Sequence, residues 1–114
     1  MTDKGAQAEQ QAASHLQQHG LQLLAQNYRC RAGEIDLIMQ DNDTLVFVEV
    51  RLRSNPAFGG AAASIDRRKQ QRIIRTAQHY LNTLPRIPPC RFDAVLLEDP
   101  QGRKLQWLKN AFEA

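Results

Sequence analysis

Asp36 and Glu49 are the two side chains whose types and spacing point most directly to chemistry. Both lie in GEIDLIMQDNDTLVFVEVRLR, residues 33–53, where two apolar runs rich in β-formers, 35–39 and 45–52, flank Gln40-Asp41-Asn42-Asp43-Thr44. That pattern is the signature of a β-hairpin. Asn42 and Asp43 both tolerate the positive φ of a tight two-residue turn, and a turn there pairs residues whose numbers add to 85. Ile35, Leu37 and Met39 then meet Val50, Val48 and Val46 on a wholly apolar face, the expected core side. On the opposite face Ile38 meets Phe47, Asp36 meets Glu49 and Glu34 meets Arg51. Facing β-carbons in such a ladder are about 4.5–5.5 Å apart, and two charges about 5 Å apart repel by roughly 3 kcal/mol at an effective dielectric near ~20. Carboxylates held that close need a divalent cation between them, a shared proton, or a nearby cation such as Arg51. The plain alternative is a solvated hairpin face with a Glu34–Arg51 surface ion pair, but the strands are otherwise too apolar to favour it.

The charge distribution bears on what such a site would act on. The formal net charge is only +3, yet seven of the 15 Lys and Arg residues crowd into residues 51–75: Arg51, Arg53, Arg67, Arg68, Lys69, Arg72 and Arg75. Asp66 is the one acid there. A cationic segment beside a carboxylate pair suits a polyanion guided towards it. Ser64 is a good N-cap for a helix that ends by Leu84, before Pro85. Its apolar stripe, Ile73, Ile74, Ala77, Tyr80, Leu81 and Leu84, has helical spacing, and stepping back four residues from Ile73 puts Lys69 at the sheet-facing edge. Arg68, Arg72 and Arg75 recur as a rail suited to successive phosphates.

The remaining elements must position these groups. An N-terminal helix over residues 3–19 has Thr2 as its candidate N-cap and Gly20 as its stop. Its apolar positions are Ala6, Ala12, Ala13 and Leu16, and Glu9 falls on the same face. There Glu9 is either a third acid for the site or a rim residue reaching water. His15 and His19 lack the intervening Glu of a zinc-binding helix and are expected to face solvent. Residues 21–30 read as a strand. Residues 54–63, SNPAFGGAAA, read as a loop that is either a flap over the site or a connector. A second hairpin is expected from 90–97 and 105–108 around Asp99-Pro100-Gln101-Gly102. Arg91 and Asp93 make an internal ion pair on its first strand, and Trp107 and Phe112 close the core.

At 114 residues the chain is long enough for one domain with its own core. Cys30 and Cys90 have no zinc or redox spacing, so both are expected to be buried thiols in a reducing cytoplasm. No apolar run approaches the ~18 residues of a membrane span, and MTDKGAQAEQ has no secretion-signal core. One domain of this size is small for gripping branched DNA, so a homodimer is the expected arrangement if the substrate is branched.

The combination of Glu9, Asp36 and Glu49-Val50-Arg51, in the order helix, three strands, helix, two strands, resembles the nuclease signature written PD-(D/E)xK. More closely, the chain resembles the YraN-type bacterial family, which is similar to archaeal Holliday-junction resolvases. The residues that carry this are Lys4-Gly5 with Ala8-Glu9, Asn27-Tyr28-Arg29, GEIDLI (33–38), VFVEVR (46–51), Lys69, Arg91-Phe92-Asp93 and Asn110-Ala111-Phe112. The resemblance implies an α/β, restriction-endonuclease-like single domain of order α-β-β-β-α-β-β, with a central mixed sheet flanked by helices. It implies Mg²⁺ or Mn²⁺ on Asp36, Glu49 and the Val50 carbonyl, with Glu9 assisting and Arg51 and Lys69 completing the catalytic set. DNA would lie on Arg53, Arg67, Arg68, Lys69, Arg72 and Arg75. One residue departs from the pattern, which has Lys where this chain has Arg51. Lysine can give up a proton when its pKa is depressed, whereas arginine effectively cannot, so Arg51 suits a phosphate clamp and not a general base.

Overall fold

A computed structural model describes residues 3–52 and 65–114. The elements run α1 (Lys4–Gln18), β1 (Gln22–Cys30), β2 (Gly33–Asp41), β3 (Thr44–Leu52), α2 (Arg67–Leu81), β4 (Cys90–Leu97) and β5 (Leu105–Phe112), the order expected from the sequence. Thr2, Arg53, the 54–63 loop and Ser64 lie outside the described residues. The five strands form one open mixed sheet in chain order, antiparallel everywhere except between β3 and β4. Parallel neighbours need a crossover, and α2 lies in that connection. α1 packs on one face of the sheet and α2 on the other.

The central hairpin keeps the register inferred from its turn. Leu37 pairs with Val48, Ile38 with Phe47, Met39 with Val46 and Asp41 with Thr44. Of the two turn residues only Asn42 has a positive φ, 56°, which matches a type II′ turn rather than one left-handed at both central positions. The expectation of a single core face is corrected. Leu37, Met39, Val46 and Val48 pack beneath α1, while Ile38, Leu45 and Phe47 pack beneath α2. Two helical layers leave neither face of β2 and β3 open to water, which is why both strands are so apolar.

Strict alternation also fails at one point. Ile35 joins the α2 layer rather than the α1 layer of Leu37 and Met39. The β1–β2 ladder pairs Gln26 with Leu37 and Tyr28 with Ile35 but passes over Asn27 and Asp36, and Asn27 has φ 51°. A left-handed residue turns the strand, so Ala25 and Tyr28, three apart, can both join the α2 layer. Asp36 lies at this step.

The helices are capped by residues other than those expected. Asp3 caps α1, its Oδ1 accepting from the Ala6 N–H at 2.7 Å, and Asp66 caps α2 by accepting from the Lys69 N–H at 2.8 Å. A carboxylate is as good a cap as a hydroxyl and adds charge complementary to the helix dipole. Gly20, at φ 92°, ends α1 with the Leu21 N–H returning to the Leu16 carbonyl at 3.1 Å, a Schellman stop. Ala8, Ala12 and Leu16 form the buried stripe of α1, whereas Ala6 is exposed in its first turn. Spacing by four from Leu16 selects Ala8, not Ala6.

The second hairpin forms, and its strand β5 runs on to Phe112. Trp107 packs at the border of the α1 layer, and Phe112 packs in the α2 layer with its ring stacked on Phe92 at 4.9 Å. Between them Asn110 is left-handed at φ 53°. Asp93, fully buried, accepts from the Asn110 N–H, from Trp107 Nε1 at 2.9 Å and from Arg91 Nε at 3.0 Å, while Arg91 also reaches Asp41 at 2.9 Å. The expected Arg91–Asp93 ion pair is therefore part of a larger stitch joining β2, β4 and β5. His15 and His19 are not simply solvent-facing: their rings lie 4.5 Å apart and both meet the edge or face of Trp107. Cys30 is half-buried and Cys90 exposed, so neither is the buried thiol expected. Removing one partner of a buried ionic network leaves the other uncompensated. Asp93→Ala should therefore cost roughly 3–5 kcal/mol of unfolding free energy in a urea titration, and a loss within about 0.5 kcal/mol, typical of an inert surface change, would contradict the network's role.

Candidate active site

Asp36 and Glu49 come together, although the ladder no longer pairs their backbones. The last antiparallel pair is Leu37 with Val48, and beyond it Asp36 reaches across to the backbone of β3. Its Oδ2 accepts from the Val50 N–H at 2.8 Å, and its carboxyl group lines the same cleft as the Glu49 carboxyl, near enough for the two charges to interact. Glu49 is only 4% exposed, and the Lys69 ammonium of α2 approaches its Oε1 at 3.3 Å. Burial, first, and then the Glu49 charge push the Asp36 carboxyl up to about 7, against the lowering effect of the Val50 N–H. The fold has therefore created a demand for positive charge that Lys69 alone does not satisfy.

A second group of acids shares Asp36. Oxygens of Glu9 from α1, Glu34 from β2 and Asp36 all lie within 4.8 Å of one another. Asn27 Nδ2 donates to Glu9 Oε1 at 2.9 Å and to Glu34 Oε1 at 3.3 Å, and Arg29 pairs with the other oxygen of Glu34. Burial chiefly, and then the charges of Asp36 and Glu34, raise the Glu9 carboxyl above its usual range, although the Asn27 bond opposes this. Of the two roles expected for Glu9, the structure gives it the one that reaches the site.

A cleft of about 480 Å³ opens over these groups, lined by Glu34, Asp36 and Glu49 on the acidic side and by Arg29, Lys69 and Arg72 on the basic side. Cys30 also borders it. Of the residues expected in a site, the structure brings together Glu9, Asp36, Glu49 and Lys69. Val50 contributes its amide to Asp36; its carbonyl points to the same edge of β3, as both groups of one extended residue do. Val50 and Leu52 pack in the α1 layer, so Arg51, half-buried between them, is on the α2 side with Glu49. Arg51 is not among the residues lining the cleft.

The basic positions spread more widely. Arg72 lines the cleft, whereas Arg67, Arg68 and Arg75 stand exposed on α2 outside its lining, and Arg53 lies outside the described residues. The expected Glu34–Arg51 pair is replaced by Glu34–Arg29, because the β2–β3 ladder has ended and Glu34 turns to its β1 neighbour. Glu34, Asn27 and Arg29 are the site residues that sequence spacing missed. Their only signal was membership of the GEIDLI and Asn27-Tyr28-Arg29 runs.

An α/β chain with an acid-lined cleft at one end of an open five-stranded sheet is the class that fold and site define. The family model of the uncharacterised protein family UPF0102 matches residues 8–97. A UPF0102 protein of Nitrosomonas europaea is 59% identical over 97% of this chain and 94% of its own length. Another from Cupriavidus taiwanensis is 57% identical over 97% of this chain and 83% of its own, and one from Psychromonas ingrahamii 57% over 96% and 89%. The chain belongs to the UPF0102 family, the YraN-type family that its GEIDLI and VFVEV runs resemble.

The raised Asp36 carboxyl has a consequence for stability. A group bound more tightly to its proton in the folded state stabilises the fold below its ordinary pKa of 3.8 and loses that contribution as pH rises through about 7. In chelator, wild-type protein should therefore lose roughly 2–4 kcal/mol relative to Asp36→Asn across this window. Urea unfolding of both proteins at several pH values checks it; parallel pH profiles would contradict the buried acid pair.

Proposed function

We propose that this protein is a divalent-metal-dependent phosphodiesterase that cleaves DNA, with Asp36 and Glu49 as the central cation ligands. The observation that carries the reading is that buried Glu49 and half-buried Asp36 line one cleft, near enough for their charges to interact. The donor set fits a hard cation: four carboxylates from α1, β2 and β3 offer only oxygens, and magnesium and manganese favour such ligands. Asp36, Glu49 and the Val50 carbonyl would hold it, with Glu9 and Glu34 reaching from the second acidic group. Such an ion would supply charge to offset the anion growing on the phosphate and would acidify water beside it.

The chain's own residues would do the rest. Lys69, set 3.3 Å from Glu49, holds that carboxylate turned towards the cleft. Arg72, on the same helix and in the same cleft, is placed to bind a phosphate oxygen. Arg67, Arg68 and Arg75 would extend the phosphate track along the exposed face of α2. Arg51 would steady the phosphate, with proton transfer left to water or Lys69. The restriction-endonuclease-like arrangement expected from the sequence accords with this division of labour.

A second reading, a DNA-binding module without turnover, is favoured by one observation: Arg51 stands where the nuclease pattern has lysine. Purified protein with Mg²⁺ or Mn²⁺, offered labelled single-stranded, duplex and four-way-junction DNA, separates the two. The nuclease reading expects cleavage that Asp36→Asn abolishes while DNA binding persists, and activity that Arg51→Lys preserves or raises. Binding without cleavage of any substrate would favour the module, with the salt slope falling by about 0.9 for each phosphate-contacting arginine removed, Arg68 first. Salt-independent affinity unchanged by Arg68→Ala would defeat both.

A further inference from the structure

The geometry points to Asn27 as a positioning residue whose amide ties Glu9 of α1 to Glu34 of β2 and so holds the second acidic group in place for a cation; this rests on the metal-site reading above. Both hydrogens of a side-chain amide can donate, and the Asn27 nitrogen meets one carboxylate oxygen of each acid, at 2.9 and 3.3 Å. The two acids belong to different elements, so the amide spans the junction between α1 and the sheet edge. Without it, Glu9 and Glu34 face each other and Asp36 across less than 4.8 Å with nothing between them but like charge. Arg29 offsets Glu34 from the outside but leaves Glu9 untouched among the described contacts.

The backbone explains why an asparagine occupies this position. Asn27 has φ 51° and lies where the β1–β2 ladder passes over the pair Asn27 and Asp36. Left-handed backbone is tolerated by glycine and, several-fold more than by other side chains, by asparagine and aspartate. Of these three only asparagine brings a donor. The same residue thus makes the strand step that frees Asp36 from the ladder and supplies the hydrogen bonds that hold the two neighbouring acids. Glu9 retains a second oxygen that Asn27 does not engage, whereas the second oxygen of Glu34 is paired with Arg29.

This pairing of roles allows them to be separated experimentally. Asn27→Gly keeps the left-handed backbone and deletes the amide. Manganese titration calorimetry on the full chain should show its affinity reduced ~10–100-fold, the usual cost of losing an outer-shell partner of a ligand, with a melting temperature in chelator lowered less than that of Asn27→Asp. Asn27→Asp also keeps the backbone but turns the donor into a further acid. It should melt below wild type in chelator and gain more from manganese. Wild-type binding matched by Asn27→Gly would overturn the role given to Asn27 and leave the metal site standing, whereas no manganese binding by wild type would overturn both. If Asn27→Gly does not fold, Asn27→Asp decides: a melting temperature and manganese response equal to wild type would overturn the proposal.

Discussion

Two carboxyl groups, buried Glu49 and half-buried Asp36, line one cleft, and the local structure is arranged around keeping them there. Glu49 is held by being 4% exposed beneath α2 and by the Lys69 ammonium. Asp36 is held by the Val50 N–H. Neither contact neutralises both acids, so Asp36 retains its proton to about 7. A fold that places such a pair together, when Asn or Leu would pack without repulsion, does so at a cost in stability.

The architecture supplies what the pair needs. Two helical layers bury β2 and β3 on both faces, so the ends of these strands project their side chains from a rigid base rather than from loops. α1 brings Glu9 from one face and α2 brings Lys69 and Arg72 from the other. The cleft is thus acidic on its floor and basic on one wall. On the far side of the sheet, Asp93 ties Arg91, Trp107 and the Asn110 backbone together. The two ends are built alike: each sets a left-handed asparagine against an aspartate of the neighbouring strand, Asn27 by Asp36 and Asn110 by Asp93.

Those two asparagines also mark where the sequence stopped being legible. The element order, the hairpin register and the inward edge of α2 all follow from apolar periodicity and turn chemistry, which is why Lys69 and Glu49 were placed correctly. Periodicity assumes that side chains alternate, and Asn27 and Asn110 break that rule without a glycine or proline to announce it. Ile35 therefore changed layers, Glu34 changed partner from Arg51 to Arg29, and Leu108 and Ala111, three apart, joined the same layer. The burial of both sheet faces was only partly legible: the apolar character of both strands argued against a solvated face, but only the α2 layer shows what covers it. Caps were misassigned because serine, threonine and aspartate are near-equivalent at that position, and Asp3 and Asp66 each lie close to an equally acceptable residue.

Anomalous diffraction from crystals soaked in manganese tests the central claim most directly. The account predicts a peak about 2.1–2.2 Å from an Asp36 oxygen, shared with at least one of Glu9, Glu34 and Glu49. A crystal in which Asp36 and Glu49 still adjoin but manganese scatters nowhere near them would contradict it.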